Sequence, residues 1–162
     1  MTTNQDPISN LQQLLQSAHQ AVIESIDGIQ EEEIRLIPAP DEWTVAQLLA
    51  HIGEIKYSWM EKAVLVTQED DPNITRSNVE NDRRAAAVVN HSGDSLDELI
   101  PGLVTASDAA VAIVGNITPG DLAFLGHNGE NNPISVEGVI QSPAGHMTEH
   151  ANQITESRRL IG

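Results

Sequence analysis

Two histidines near the carboxyl end of the chain have the spacing of a metal-binding pair. His146 and His150 are four residues apart in the segment HMTEH, so on a helix they emerge from one face about one turn apart. Imidazole nitrogens in that arrangement can ligate a single divalent ion. The spacing alone is a modest signal, because an isolated histidine is more often a packed or surface side chain than a ligand.

A third histidine, His51, falls in an apolar row of a predicted helix, together with Leu48, Ile55 and Trp59. Such a row faces the protein interior. The carboxyl-terminal pair shares its own apolar row with Val139, Pro143 and Ile154. We therefore expect three imidazoles to face one interior, where three histidine ligands suit Zn²⁺ or Ni²⁺ and leave coordination positions open.

Two acidic residues, Glu149 and Glu54, are candidates for orienting an imidazole or for moving a proton. Exposed carboxylates on a helix face have the same sequence signature, so both interpretations stay open. Arg83 and Arg84 offer charges that could meet an anionic substrate, or they are ordinary surface charges. The other histidines, His19, His91 and His127, lack a ligand pattern and are left out of the site.

Other metal motifs fit the sequence less well. A di-iron carboxylate bundle requires Glu-x-x-His pairs, which none of the histidines considered provides. The segment from His146 to His150 matches the inverted zinc-protease pattern H-x-x-E-H, with Glu149 as the general base. Few residues follow His150, so we expect no downstream segment that could supply a further ligand.

Composition excludes several classes of function. The 162 residues predict one domain over 1–162, and 40% hydrophobic residues are enough for a packed core. A formal net charge of -16 disfavours binding to nucleic acid or to anionic membranes. The chain has no cysteine, so disulfides, thiolate metal ligands and a cysteine nucleophile are ruled out.

The amino terminus lacks the basic and apolar regions of a secretory leader. No segment approaches the roughly 18 apolar residues of a membrane span. The chain is therefore predicted to be a cytoplasmic protein with no membrane partner.

Apolar residues recur at intervals of three and four in four segments, which predicts four amphipathic helices. These segments are residues 7 to about 29, 44–68, 96–115 and 135–161. Residues 69–94 are expected to form a long connection with at most one short helix, and residues 118–133 a long loop. No segment has the pattern of a strand. Helices of this kind pack into an all-α four-helix bundle, in which the long connection permits a crossover.

Two segments resemble signatures of a known family. The sequence PDEWTVAQLLAHI, residues 40–52, resembles the tryptophan-to-histidine motif of the DinB/YfiT-like metal-dependent enzymes. The sequence HMTEHANQI, residues 146–154, resembles the closing motif of that family. Detailed matching is confined to roughly residues 37–55 and 135–156, although the helix order agrees over nearly the whole chain.

The resemblance implies a four-helix bundle with up-down-down-up order and a long crossover between its second and third helices. It implies a divalent metal held by His51, His146 and His150, with Trp43 as a packing residue, and a homodimer. Members of the family resemble enzymes that use a low-molecular-weight thiol, such as bacillithiol or mycothiol, in transfer or isomerisation. Small-molecule detoxification under stress is then the expected role.

Three functions remain open from the sequence. The first is a metal-dependent thiol S-transferase. The second is a non-catalytic, stress-associated bundle or binding module, in which the histidines have no catalytic role. The third is metal-assisted hydrolysis with Glu149 as base.

Overall fold

The computed structural model describes residues 6–162, so part of the segment used for the leader prediction lies outside the described residues. Over this range the chain forms five α-helices and one two-stranded antiparallel ribbon. The helices are α1 (Pro7–Ser25), α2 (Val45–Gln68), α3 (Asn78–His91), α4 (Leu96–Gly115) and α5 (Val136–Ile161). The strands are β1 (Leu125–His127) and β2 (Pro133–Ser135).

The four long predicted helices are confirmed, with one changed boundary. The Asp6 side chain accepts a hydrogen bond from the Ile8 amide and Pro7 occupies the first turn, which starts α1 as predicted. The helix ends at Ser25 rather than near Ile29. Gly28 follows with a φ of 69°, a left-handed conformation that an α-helix cannot contain.

A capping box at Thr44 starts α2, the helix that carries His51. The Thr44 hydroxyl accepts from the Gln47 amide at 3.2 Å, and the Gln47 side chain accepts from the Thr44 amide at 2.8 Å. Two otherwise unpaired amides at the helix start are thereby satisfied. The cap fixes where the helix begins, and with it the rotational position of His51 seven residues on.

Replacing Thr44 by alanine should lower the free energy of unfolding by about 1 kcal/mol, because it removes the acceptor of one capping bond. Urea unfolding followed by circular dichroism measures this change. Thr105→Ala is the matched control, since Thr105 is exposed in the middle of α4 and alanine favours the helical backbone. Equal effects of the two substitutions would contradict the capping role.

The core lies between four of the five helices. Helix α1 packs against α5 and α4, and α2 packs against the same two helices. Each contributes fully buried apolar side chains, such as Val22, Leu48, Val114 and Ile154. Helix α3 packs on the outside of α2. The result is a helical bundle with one additional helix on its flank.

Residues 69–94 were predicted to form a long connection with at most one short helix. Helix α3 lies within this segment and is 14 residues long. Ser77 and Glu80 form a capping box at its start. Its segment contains few apolar residues because α3 covers α2 with little buried surface, Val88 being its buried apolar residue. A helix stabilised by its cap and by charged side chains lacks the broad apolar stripe of a core helix.

The expectation that residues 118–133 form a loop and that the chain has no strand was wrong in part. Residues 125–127 pair with residues 133–135 in antiparallel register, and the His127 amide donates to the Pro72 carbonyl at 2.9 Å. Gly126 lies so close to this segment that a Cβ there would be 2.8 Å from the Pro72 oxygen. Strands of three residues are too short to show an alternating pattern.

Helices α4 and α5 each continue through an internal proline, Pro101 and Pro143 respectively. Contrary to the sequence prediction, α4 is also long and apolar enough to cross a membrane by length and composition, the one such helix among residues 6–162. One such helix is weak evidence for a span, and 28% of its apolar window is buried inside the bundle. Its residues Leu99, Leu103 and Val114 are buried in the bundle.

Candidate functional site

His51 lies in the interior of the bundle, as its position in an apolar row predicted. Its side chain is buried, with 4% of the residue exposed. The Trp43 ring meets it edge-on with ring centres 5.1 Å apart, and the His150 ring does the same from α5, also at 5.1 Å. The capped start of α2 and the middle of α5 therefore bring two of the three predicted ligands together.

His146 does not face the interior, which corrects the sequence prediction for this residue. Its side chain is 48% exposed, and its ring stacks on His150 with centres 6.5 Å apart. In the row assumed from the sequence, Val139, Pro143 and Ile154 are buried, and the buried face of α5 also includes Ile140, Ala144, Met147 and Ala151. His150 is half-buried at the edge of this face, and His146 lies outside it.

The distances between the imidazole rings show which of the three histidines could share one metal ion in this conformation. Nitrogen–metal bonds of about 2.1 Å place the centres of two imidazoles on one ion about 5 Å apart. The ring centres of His51 and His150 are 5.1 Å apart and meet this distance. Those of His146 and His150 are 6.5 Å apart and do not. Within residues 6–162, no group of three or more His, Asp or Glu side chains is close enough together to hold a metal in this conformation.

An unpartnered polar atom favours a ligand at this point. The buried Nδ1 atom of His51 has no hydrogen-bond partner among the described residues, and a buried nitrogen without a partner is costly unless a ligand uses it. His150, in contrast, has its Nδ1 atom 3.1 Å from the Gln153 side-chain oxygen. That contact orients the ring, as partners of metal-binding histidines commonly do.

The electrostatic surroundings keep His51 neutral. Burial is the main cause that lowers its pKa to about 3, and the positive charge of Arg84 is the next. A neutral imidazole has a free lone pair, which is the form that binds metals.

Beyond His51, a polar stripe continues along α2. We define it as His51, Glu54, Ser58 and Lys62, which are spaced by three and four residues and are all buried. Arg76 approaches from the segment before α3, with its guanidinium 3.5 Å from the Glu54 carboxylate. Lys62 donates to the Ile74 carbonyl at 2.7 Å.

Every buried side-chain polar atom without a hydrogen bond in residues 6–162 belongs to this stripe or to Arg76. These atoms are His51 Nδ1, both Glu54 carboxylate oxygens, Ser58 Oγ and Arg76 Nη1. Sequence reasoning missed Ser58, Lys62 and Arg76. The signal available for two of them was the helical spacing of polar residues after His51 on an otherwise apolar helix.

The two neighbouring arginines have different environments. Arg83 pairs with Glu61 at 2.9 Å and lies over the Tyr57 ring at the surface. Arg84 is half-buried, and its charge acts on His51. Of the two, Arg84 is therefore placed to meet a molecule bound beside the histidines.

The remaining candidates lie apart from the interior cluster. Glu149 is exposed, with its carboxylate 3.9 Å from His146 Nδ1. The histidines without a ligand pattern each have another side-chain neighbour: His19 contacts Lys56, His91 contacts Asp94 and His127 contacts Asp71.

Comparison with known proteins places the fold. A family model described as the DinB superfamily matches residues 14–154. The chain is similar to YfiT from Bacillus subtilis, described as a probable metal-dependent hydrolase with an unusual four-helix bundle topology. That likeness has a TM-score of 0.78 and 15% identity, and covers 100% of this chain and 90% of YfiT.

Two further structures share the fold. A mycothiol-dependent maleylpyruvate isomerase has a TM-score of 0.72 and 11% identity, over 95% of this chain but 63% of the isomerase. A conserved protein from Enterococcus faecalis has a TM-score of 0.68 and 18% identity, over 94% of this chain and 95% of that protein. No curated protein matches this chain in sequence. At these identities the structures support the fold rather than an activity.

Proposed function

This chain belongs to the DinB superfamily, and from that membership we propose that it is a divalent-metal-dependent enzyme acting on small molecules with a low-molecular-weight thiol. The proposed ligands are His51, His146 and His150, and the proposed ion is Zn²⁺ or Ni²⁺. The observation that carries the proposal is the contact of the buried His51 ring with His150, together with the unpartnered Nδ1 atom of His51.

The side chains around the histidines have distinct tasks in this proposal. His51 and His150 provide two imidazoles on separate helices, and the exposed His146 side chain has to turn toward them to complete the set. Trp43 covers one side of His51 and excludes water from it. The Glu54–Arg76 pair supplies a buried carboxylate and a half-buried guanidinium next to the site.

A divalent cation at this site would lower the pKa of a bound thiol and so favour the thiolate, which is the nucleophile. In the proposed transfer, the thiolate sulfur forms a bond to carbon of the electrophile while the bond to a halide breaks. The halide leaves with the electron pair, and the thiol proton passes to solvent or a base. The protein needs no cysteine for this reaction, in agreement with its composition.

The mycothiol-dependent isomerase supports the use of a thiol cosubstrate, since it shares the fold. YfiT, described as a probable metal-dependent hydrolase, supports an alternative in which water replaces the thiol. The contact of Glu149 with His146 favours that alternative to the extent that it places a carboxylate near one proposed ligand. Glu149 is exposed, however, and in the hydrolytic case it would have to act at the surface.

The two candidates differ in their dependence on thiol. Protein loaded with Zn²⁺ or Ni²⁺ should conjugate bacillithiol or mycothiol to a fluorogenic alkyl halide, and should release no product when the thiol is omitted. Activity should fall at least about 100-fold in His51→Ala. Metal-dependent turnover of ester substrates without thiol would favour hydrolysis, and metal-independent turnover would contradict both.

Further assignments belong to the proposal. The core helices follow up-down-down-up order, supported by the packing of α1 against α5 and α4. The chain is a single domain, works in the cytoplasm as a homodimer, and serves in detoxification under stress. Its net charge of -16 supports the absence of a nucleic-acid or membrane partner.

A further inference from the structure

A cleft lies next to the histidine cluster, between α3 and the segment that precedes α2. Its volume is about 450 Å³, within the range of small-molecule sites. The lining residues are Trp43, Asn81, Arg84, Ala85, Val88 and Val89. Trp43 is shared by the cleft and the site, because its ring also contacts His51. A molecule in this cleft would lie one aromatic ring away from the buried histidine.

The lining combines an apolar wall with one cation. Trp43, Ala85, Val88 and Val89 provide the apolar surface, and Val89 is 75% exposed although it is a large apolar residue. Arg84 and Asn81 are one turn apart on α3 and provide the polar groups. This arrangement complements a molecule with an apolar body and a single polar, negatively charged end.

Among the described residues, Arg84 differs from the other arginines in having no acidic partner. The chain has three acidic residues for every basic one, 24 against 8, so an arginine on this protein has many carboxylates available. Five of the six arginines within residues 6–162 pair with a carboxylate, and Arg84 does not. Residues 1–5 contain no Asp or Glu that could supply a partner.

Arg84 also lies close enough to the proposed cation site for its charge to act on His51. A positive charge near the histidines opposes the binding of a divalent cation by simple Coulomb repulsion. An anion bound at Arg84 would remove that repulsion. This step rests on the proposed function, whereas the shape and charge of the cleft do not.

From these observations we propose that the cleft is a binding subsite for an amphipathic carboxylate, with its carboxylate on the Arg84 guanidinium and its apolar body against Trp43, Val88 and Val89. Guanidinium and carboxylate match in geometry and form charge-assisted hydrogen bonds. Within the proposed reaction, this carboxylate belongs to the electrophilic substrate. The proposal therefore specifies the substrate class as small apolar acids rather than neutral compounds.

Binding can be tested without activity and without metal. Chelator-treated protein labelled with ¹⁵N is titrated with 4-phenylbutyrate and, in parallel, with the neutral isostere 4-phenylbutanamide. The indole N–H signal of Trp43 reports the cleft, and that of Trp59 is the internal control because Trp59 lies on α2, outside the cleft lining. A Trp59→Phe variant assigns the two signals.

Two pairs of matched variants separate charge from apolar contact. Arg84→Gln removes the proposed anchor, and Arg83→Gln removes the adjacent arginine that pairs with Glu61. Val89→Asp places a negative charge in the cleft. Val79→Asp is its control, because it places the same charge on α3 at a residue that is 77% exposed and outside the cleft lining. All four changes are at exposed or half-exposed side chains, and thermal unfolding checks that each variant is folded.

The expected result is a shift of the Trp43 signal with the carboxylate that is saturable and weakens with added salt. Affinity for the carboxylate should fall roughly tenfold in Arg84→Gln and stay unchanged in Arg83→Gln. The amide should bind weakly and equally to both variants. Val89→Asp should abolish binding, whereas Val79→Asp should not.

Equal affinity for acid and amide, or equal effects of the two arginine substitutions, would overturn the proposal. Failure of the protein to bind metal would leave this result unaffected, since the titration uses metal-free protein. Conversely, a protein that binds metal and transfers thiols but shows no preference for the carboxylate retains the proposed function and loses the subsite.

Discussion

Replacing His51 by alanine should reduce the affinity of the protein for Zn²⁺ or Ni²⁺ by at least about 100-fold. His51 is the buried member of the proposed ligand set and the one whose Nδ1 atom has no other partner among the described residues. The other two histidines lie on α5, so without His51 any ion would be held by a single helix. Isothermal titration with either metal measures the change.

Two controls make this result specific. His91→Ala removes an exposed histidine whose partner is Asp94, and its affinity should equal that of the wild type. His150→Ala removes a half-buried histidine and should reduce affinity like His51→Ala, so that a folding defect in the buried variant does not decide the outcome. Unchanged affinity in both His51→Ala and His150→Ala would contradict the proposed ligand set.

Replacing Lys56 by methionine should stabilise the protein at neutral pH. Lys56 is 1% exposed, and its Nζ atom contacts His19 Nδ1 at 3.1 Å. Burial lowers the pKa of Lys56 from 10.5 to about 8. The charged amine therefore costs about 3 kcal/mol of stability when both the folded and the unfolded chain are protonated. Methionine fills a similar volume without a charge.

The effect should depend on pH with a definite sign. Below pH 8 both states bind the proton and the full cost is present. Between pH 8 and 10.5 Lys56 is still protonated in the unfolded chain but not in the folded chain, so the unfolding free energy of the wild type rises with pH. The advantage of Lys56→Met should therefore shrink to roughly half between pH 7 and pH 9.5.

The surrounding charges do not remove this cost. His19 on α1 has its own pKa lowered by burial and then by Lys56, with Asp108 acting in the opposite direction. Urea unfolding of both proteins at the two pH values measures the difference, in which contributions from other groups cancel. Lys62→Met is the contrasting variant, because it leaves the Ile74 carbonyl and Glu80 without their partner and should destabilise. A Lys56→Met variant that is less stable than the wild type would show that the amine stabilises the fold.

The sequence predicted most of what depends on helical periodicity and caps. The start of α2 followed from Thr44 and Gln47, and the burial of His51 followed from its apolar row. Helix α3 and the short ribbon were missed for opposite reasons. The first buries too little to show a stripe, and the second is too short to show alternation.

The site was predictable in its residue types more than in its arrangement. His146 and His150 have the spacing of a pair, but the buried face of α5 extends from Val139 and Pro143 toward Met147 and leaves His146 outside, which only the packing of α1 and α2 against α5 determines. Arg76 reaches Glu54 from a segment 22 residues further along the chain. The isolation of Arg84 from every carboxylate of the described chain is likewise a property of the folded surface.

The central claim is that three histidines bind one divalent ion, and the metal content of the protein tests it most directly. Untagged wild-type protein and a His146→Ala/His150→Ala double variant would be purified in parallel and analysed by inductively coupled plasma mass spectrometry. We predict close to one Zn or Ni per wild-type chain and a loss of that metal in the variant. Absence of metal from both proteins after incubation with Zn²⁺ and Ni²⁺ would contradict the claim and would favour a non-catalytic binding module.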